Sequence, residues 1–156
     1  LQYERQNISA GFGEGGSAGG ASGDLATLAK EYLGVEDGAL SDLDLRQRIT
    51  KNKMDCQALR QTIGRSAAES RAGNGPSAAT SIIKYAAAEF AKERSELMVE
   101  AMGGQGLGWE GEGFSPAEIA AVHGWLRTKA NSIEGGTSEV NLNVVSKRVL
   151  GLPDPK

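Results

Sequence analysis

With 156 residues the chain is long enough to bury the core of one ordinary domain, and 1–156 reads as a single unit. Its 17 basic and 20 acidic residues leave a mildly negative balance, which supplies no overall basic field for nucleic acid or an anionic membrane. One cysteine, Cys56, excludes an internal disulfide framework, no Cys/His cluster is present to hold a metal, and no apolar run approaches the ~18–20 residues of a membrane span. A soluble, cytoplasmic protein is expected.

The chain starts at Leu1 rather than Met and enters a helical pattern over Leu1 to Ile8 with no cap, which reads as a fragment of a larger protein. Residues 10–23, rich in glycine, form a flexible loop by composition, since each glycine costs a helix ~1 kcal/mol relative to alanine. No strand precedes this stretch and no Gly-Lys-Ser/Thr follows it, so a loop is favoured over a phosphate cradle. Asp24 is placed to cap a short helix that runs to Tyr32 and stops at Gly34.

A long helix is expected from Ser41 to Arg71, with Leu45, Ile49, Cys56, Leu59, Ile63 and Ala67 on one apolar stripe. Asn74-Gly75-Pro76 ends it. A second long helix from Ser77 to Met102 is expected to bury Ile82, Ala86, Phe90, Leu97 and Ala101. After a glycine-rich turn, Ser115-Pro116-Ala117-Glu118 has the pattern of a capping box with proline at the first helical position. Gly135-Gly136 breaks the chain again. A last helix, capped by Thr137 and running to Leu150, is expected to turn Val140, Val144, Val145 and Val149 to the core. No segment alternates as a strand does. The expected fold is all-α, an up-and-down four-helix bundle with additional short helices.

The segment IEGGTSEVNLNVVSKRVLGLP, Ile133 to Pro153, resembles the terminal motif of acyl-CoA dehydrogenases, IYGGTSEIQRNIIAxRVLGLP. LQYER at Leu1 to Arg5, LRQR at Leu45 to Arg48 and EAMGGQG at Glu100 to Gly106 follow the family's order. The resemblance implies the C-terminal helical domain of a larger flavoprotein. It implies FAD as cofactor, oxidation of an acyl-CoA to the trans-2-enoyl-CoA as in fatty acid β-oxidation, electron-transfer flavoprotein as acceptor, and a dimer or tetramer, homomeric or heteromeric.

In many members the base that removes the α proton is a Glu directly before Gly-Thr-Ser, where this chain has Gly135. Members that lack it carry the base in an L-x-x-E-R motif, which points to Glu4 here, with Arg5 at the CoA end of the substrate. From spacing alone such a Glu-Arg pair near a helix start reads as a solvated pair. Glu134, one residue from the usual position, ranks second. The resemblance also sets Gly136 near the thioester and Thr137, Ser138 and Glu139 against FAD. Glu100, Met102, Gly103 and Gly104 map to the strip that meets the adenine and pyrophosphate half of a neighbouring subunit's FAD. Gln is common where Glu100 stands, and a carboxylate there opposes pyrophosphate unless an arginine or a water intervenes. Lys30 to Gly34 stand where an Arg-x-x-Phe-Gly grip is usual, leaving Arg46 or Arg48 as substitutes. The rival reading is an assembly subunit that completes a partner's flavin site without chemistry of its own. His123 is given no role, Trp109 and Trp125 read as core or interface anchors, and Cys56 reads as a small core residue.

Overall fold

The computed structural model describes residues 24–73 and 80–153. The expected helix over Leu1 to Ile8, the glycine-rich loop at 10–23 and the break at Asn74 to Pro76 lie outside them. Five α-helices occur among the described residues: α1 (Leu25–Leu33), α2 (Leu43–Arg71), α3 (Thr80–Met102), α4 (Pro116–Thr128) and α5 (Ser138–Val144). The fold class is all-α, with one isolated backbone bridge, Glu36 to Ala39, closing a turn through Asp37 and Gly38.

The helix ends follow local chemistry. Gly34 ends α1 at φ 74° and ψ −175°, a region essentially reserved for glycine, which costs a side-chain-bearing residue about 1–3 kcal/mol. Helix α2 starts two residues later than the sequence pattern suggests, because Asp42 is the cap and its carboxylate accepts from the Leu45 amide at 2.9 Å. At α4 the capping box is complete: Ser115 Oγ accepts from the Glu118 amide at 3.3 Å, and Glu118 accepts from the Ser115 amide at 2.6 Å. The Tyr32 hydroxyl donates to the same Glu118 at 2.9 Å, tying α1 to α4.

Helix α3 is the hub, since α1, α2, α4 and α5 all pack on it. Around its C-terminal half, Leu97, Met98, Ala101 and Met102 meet Leu25 and Ala29 of α1, Leu40, Leu45 and Ile49 near the start of α2, and Ala121 of α4. A smaller cluster at the other end joins Leu59 to Ile83 and Ala87, backed by Ile63, Ala86 and Phe90. Ile83, not Ile82, faces inward at the start of α3, because α2 approaches that side.

Two further expectations change. The apolar stripe of α2 contains Asn52, only 1% exposed, whose amide donates to the Phe90 carbonyl at 3.2 Å and to Glu93 at 2.8 Å. A buried amide is tolerated when its donors are met, and here it pins α2 to α3 at a fixed register. The C-terminal helix does not stay α-helical. After Val144 it widens into a π-helical turn over Val145–Val149, which leaves Val149 exposed; Val144 and Val145 are half-buried, and Val140, already in the regular helix, is exposed as well.

Candidate functional site

The GGTSE segment forms a tight turn into α5. Gly135 and Gly136 both have positive φ, 66° and 100°, which residues with side chains adopt only under strain. Thr137 is the cap, its hydroxyl accepting from the Val140 amide at 3.3 Å. The turn is held from beneath by Asn141, 2% exposed, whose amide donates to the carbonyls of Gly136 at 3.0 Å and Thr137 at 2.9 Å. Ser138 Oγ donates to Glu89 of α3 at 3.2 Å, and Lys92 pairs with that same Glu89 at 2.9 Å. The Glu139 carboxyl is held below its ordinary range, first by its own backbone amide and then by the Thr137 hydroxyl.

The carboxylates singled out in the sequence meet different fates. Glu134 is paired with Arg127 at 2.8 Å. Glu4 and Arg5 lie outside the described residues. Glu100 is gripped by Arg48 through two hydrogen bonds of 2.7 Å each, with Asp44 on the same guanidinium at 3.3 Å. A fork-to-fork pairing of this kind uses the end-on Nη1/Nη2 edge that an arginine would turn to a phosphate. Of the two substitutes considered for the missing grip, Arg48 is therefore committed, and Arg46 is solvent-exposed.

Beyond Glu100, Met102 lies in the core at 4% exposure, so its side chain is not presented to a cofactor. Gly103 has φ 56°, and both Gly103 and Gly104 are exposed with open space where a Cβ would stand. Two bare glycines suit close approach of a planar group. At the Glu100 end the carboxylate turns the Arg48 Nη1/Nη2 fork to itself, and Arg48 in turn offsets the carboxylate's charge.

The remaining candidates are structural. His123 packs against Trp109 with the rings tilted by 50° and their centroids 3.9 Å apart, and its Nε2 lies 3.2 Å from the Trp109 carbonyl. Trp109 is 55% exposed, whereas Trp125 is half-buried beneath the Lys129 ammonium, 5.1 Å from its ring. Burial pushes the Cys56 thiol up, which makes it a poor nucleophile. Among the described residues no group of three or more His, Cys, Asp or Glu side chains is arranged to hold a metal, and no helix is long and apolar enough to cross a membrane. Sequence reasoning missed Asn141 and Asn52, whose only signal was a polar residue falling on an apolar face.

Comparison with known proteins finds a family, a curated relative and solved structures that the chain resembles. The family described as acyl-CoA dehydrogenase, C-terminal domain, matches residues 1–150. The chain is 32% identical over 81 residues to acyl-CoA dehydrogenase FadE34 of Mycobacterium tuberculosis, a match covering 52% of this chain and 10% of that protein. The fold is similar to a chain in the crystal structure of the ChsE4-ChsE5 complex from Mycobacterium tuberculosis, with a TM-score of 0.65 and 19% identity, over 85% of this chain and 34% of that one. The matches thus span about a tenth of the curated relative and a third of the solved chain.

Proposed function

The chain belongs to the acyl-CoA dehydrogenase family, carrying its C-terminal domain, and on that premise we propose that it supplies the catalytic base, Glu4, for α,β-dehydrogenation of an acyl-CoA. FAD, when bound, takes up the β hydrogen as hydride. The chain's own task is to accept the α proton on the Glu4 carboxylate, with Arg5 toward the CoA end. Gly136 lies near the thioester, and Thr137, Ser138, Glu139, Gly103 and Gly104 lie toward the cofactor. With FAD bound, electron-transfer flavoprotein would be the electron acceptor.

The observation that carries this reading is the geometry of the GGTSE turn. Gly135 occupies the position where many relatives hold the base, and its φ of 66° is one that a glutamate there would adopt only with strain. The neighbouring Glu134 is engaged by Arg127. Both facts disfavour the terminal motif as the source of the base and favour Glu4.

The test is single-turnover flavin bleaching by an acyl-CoA in a FAD-loaded dehydrogenase containing this chain. Loss of a positioned general base costs ~10²–10⁴-fold in rate, so Glu4→Gln is expected to slow bleaching by that order while substrate still binds. Glu134→Gln is expected to bleach near the wild-type rate. Normal bleaching by Glu4→Gln together with none by Glu134→Gln returns the base to the terminal motif.

The Arg48–Glu100 pair favours a second reading, in which the chain is a helical subunit of a heteromeric dehydrogenase and the flavin's phosphates are held elsewhere. The likeness to a fold found in a two-protein complex agrees with it. The readings separate on where FAD remains when the subunits are dissociated.

A further inference from the structure

The charge of this chain is unevenly distributed. Helix α2 holds seven basic and three acidic residues, so the remainder of the chain holds ten and seventeen. Within α2 the two signs also separate. At 100° per residue, Arg46, Lys53, Gln57, Arg60, Gly64 and Arg71 fall within an arc of about 60°, with no acid among them. The three acids lie together on another side, each with a cation one turn away: Asp44 with Arg48 at 3.3 Å, Asp55 with Lys51 at 2.5 Å, and Glu69 with Arg65 at 3.6 Å.

A helix face that is merely solvated mixes signs with neighbours at i+4, as that second side does. The basic side does not. Among the described residues no ion pair involves Arg46, Arg60 or Arg71, and all three are exposed. Lys53, 70% exposed, is met among the described residues by one carboxylate, and it comes from another element: Asp24 ahead of α1, at 3.7 Å.

We infer that this side of α2 is the docking surface for an acidic α-helix of a different protein chain. The four cations extend over about 37 Å, at intervals of about 10, 10 and 16 Å, too widely spaced for one phosphate or nucleotide to bridge. A straight, parallel row of carboxylates matches them. Gly64, exposed and with nothing within 4 Å of where its Cβ would stand, lets a second backbone come close between Arg60 and Arg71. A second copy of this chain is a poor occupant, because a two-fold contact through this side sets the basic row against itself. The inference goes beyond the proposed function and holds whether or not Glu4 is the base.

The test is fluorescence anisotropy with two synthetic helical peptides of about thirty residues and the same composition. One carries four glutamates on a single face at intervals of 7, 7 and 11 residues, and the other has them scattered around the helix. The intact chain is expected to bind the patterned peptide about tenfold more tightly, with affinity falling steeply as salt is raised. The triple variant R46Q/R60Q/R71Q loses about tenfold, since each exposed pair is worth a factor of about two to five, while K51Q/R65Q stays within about twofold. The reversed variant R46E/R60E/R71E is expected to gain binding to a lysine-patterned peptide, a result that loss of folding cannot mimic. Equal binding of the two glutamate peptides, an equal loss in K51Q/R65Q, or failure of the reversed variant to switch partner overturns the inference. So does duplex DNA binding as tightly as the patterned peptide, or salt-sensitive self-association that the triple variant abolishes.

Discussion

Replacing Asn141 by alanine tests whether one buried amide holds the GGTSE turn. The side chain is 2% exposed and makes hydrogen bonds of 3.0 and 2.9 Å to the Gly136 and Thr137 carbonyls. The Thr137 carbonyl keeps a partner in the Asn141 backbone amide at 3.0 Å, so only the Gly136 carbonyl loses its bond within the chain. Gly136 is half-buried, and water reaches such a carbonyl only in part. Two bonds at about 1 kcal/mol each, with about 1 kcal/mol for lost packing, give a destabilisation of about 2–3 kcal/mol. That is a large share of the ~5–15 kcal/mol that keeps a domain folded, and it corresponds to a fall in Tm of about 5–10 °C at this size. Urea denaturation followed by circular dichroism measures it, with the exposed Asn143→Ala on the same helix as control, expected within about 0.5 kcal/mol of wild type. If Asn141→Ala behaves like Asn143→Ala, the turn is held by its glycines and cap alone, and the account of Asn141 is wrong.

In the loop after α3, Gly106→Ala would set its Cβ 2.4 Å from the Val99 carbonyl oxygen, whereas Gly103→Ala meets open space and only the strain of φ 56°. Thermal melts are expected to rank Gly106→Ala as the more damaging, at about 1–3 kcal/mol or more against about 1, and the reverse order would refute this. The Glu118 carboxyl sits below its ordinary value, first through the Ser115 amide and then the Tyr32 hydroxyl. A lowered folded-state pKa contributes stability above the unfolded value, ~4.3, that is lost as pH falls through the folded value. Glu118→Gln is therefore expected to flatten the acid limb of the stability curve, and an unchanged limb would contradict it. The 156-residue chain by itself is expected to be colourless after incubation with FAD and desalting, because Arg48 is committed to Glu100. Stoichiometric yellow flavin would show that the pair opens.

What the sequence determined was local. Helix class, the stop at Gly34, the capping box at Ser115 and the cap at Thr137 each depend on residues within one turn of each other, where propensity and backbone hydrogen bonding act without help from the rest of the chain. The family was legible for a related reason, since the GGTSE turn needs two adjacent positive-φ residues and a cap in fixed order. Periodicity fixes that a helix has an apolar side, but its phase depends on what packs against it. Ile83 rather than Ile82 turns inward because α2 lies on that side, and Asn52 joins the core because Phe90 and Glu93, on another helix, meet its amide. Val149 stays exposed because the π-helical turn after Val144 rotates the end of the chain relative to a regular helix. Arg48 and Glu100 are 52 positions apart, and only the packing of α2 along α3 brings guanidinium and carboxylate to 2.7 Å. The chemistry of a charged side chain is set by its nearest opposite charge in space, and only the tertiary fold determines which charge that is.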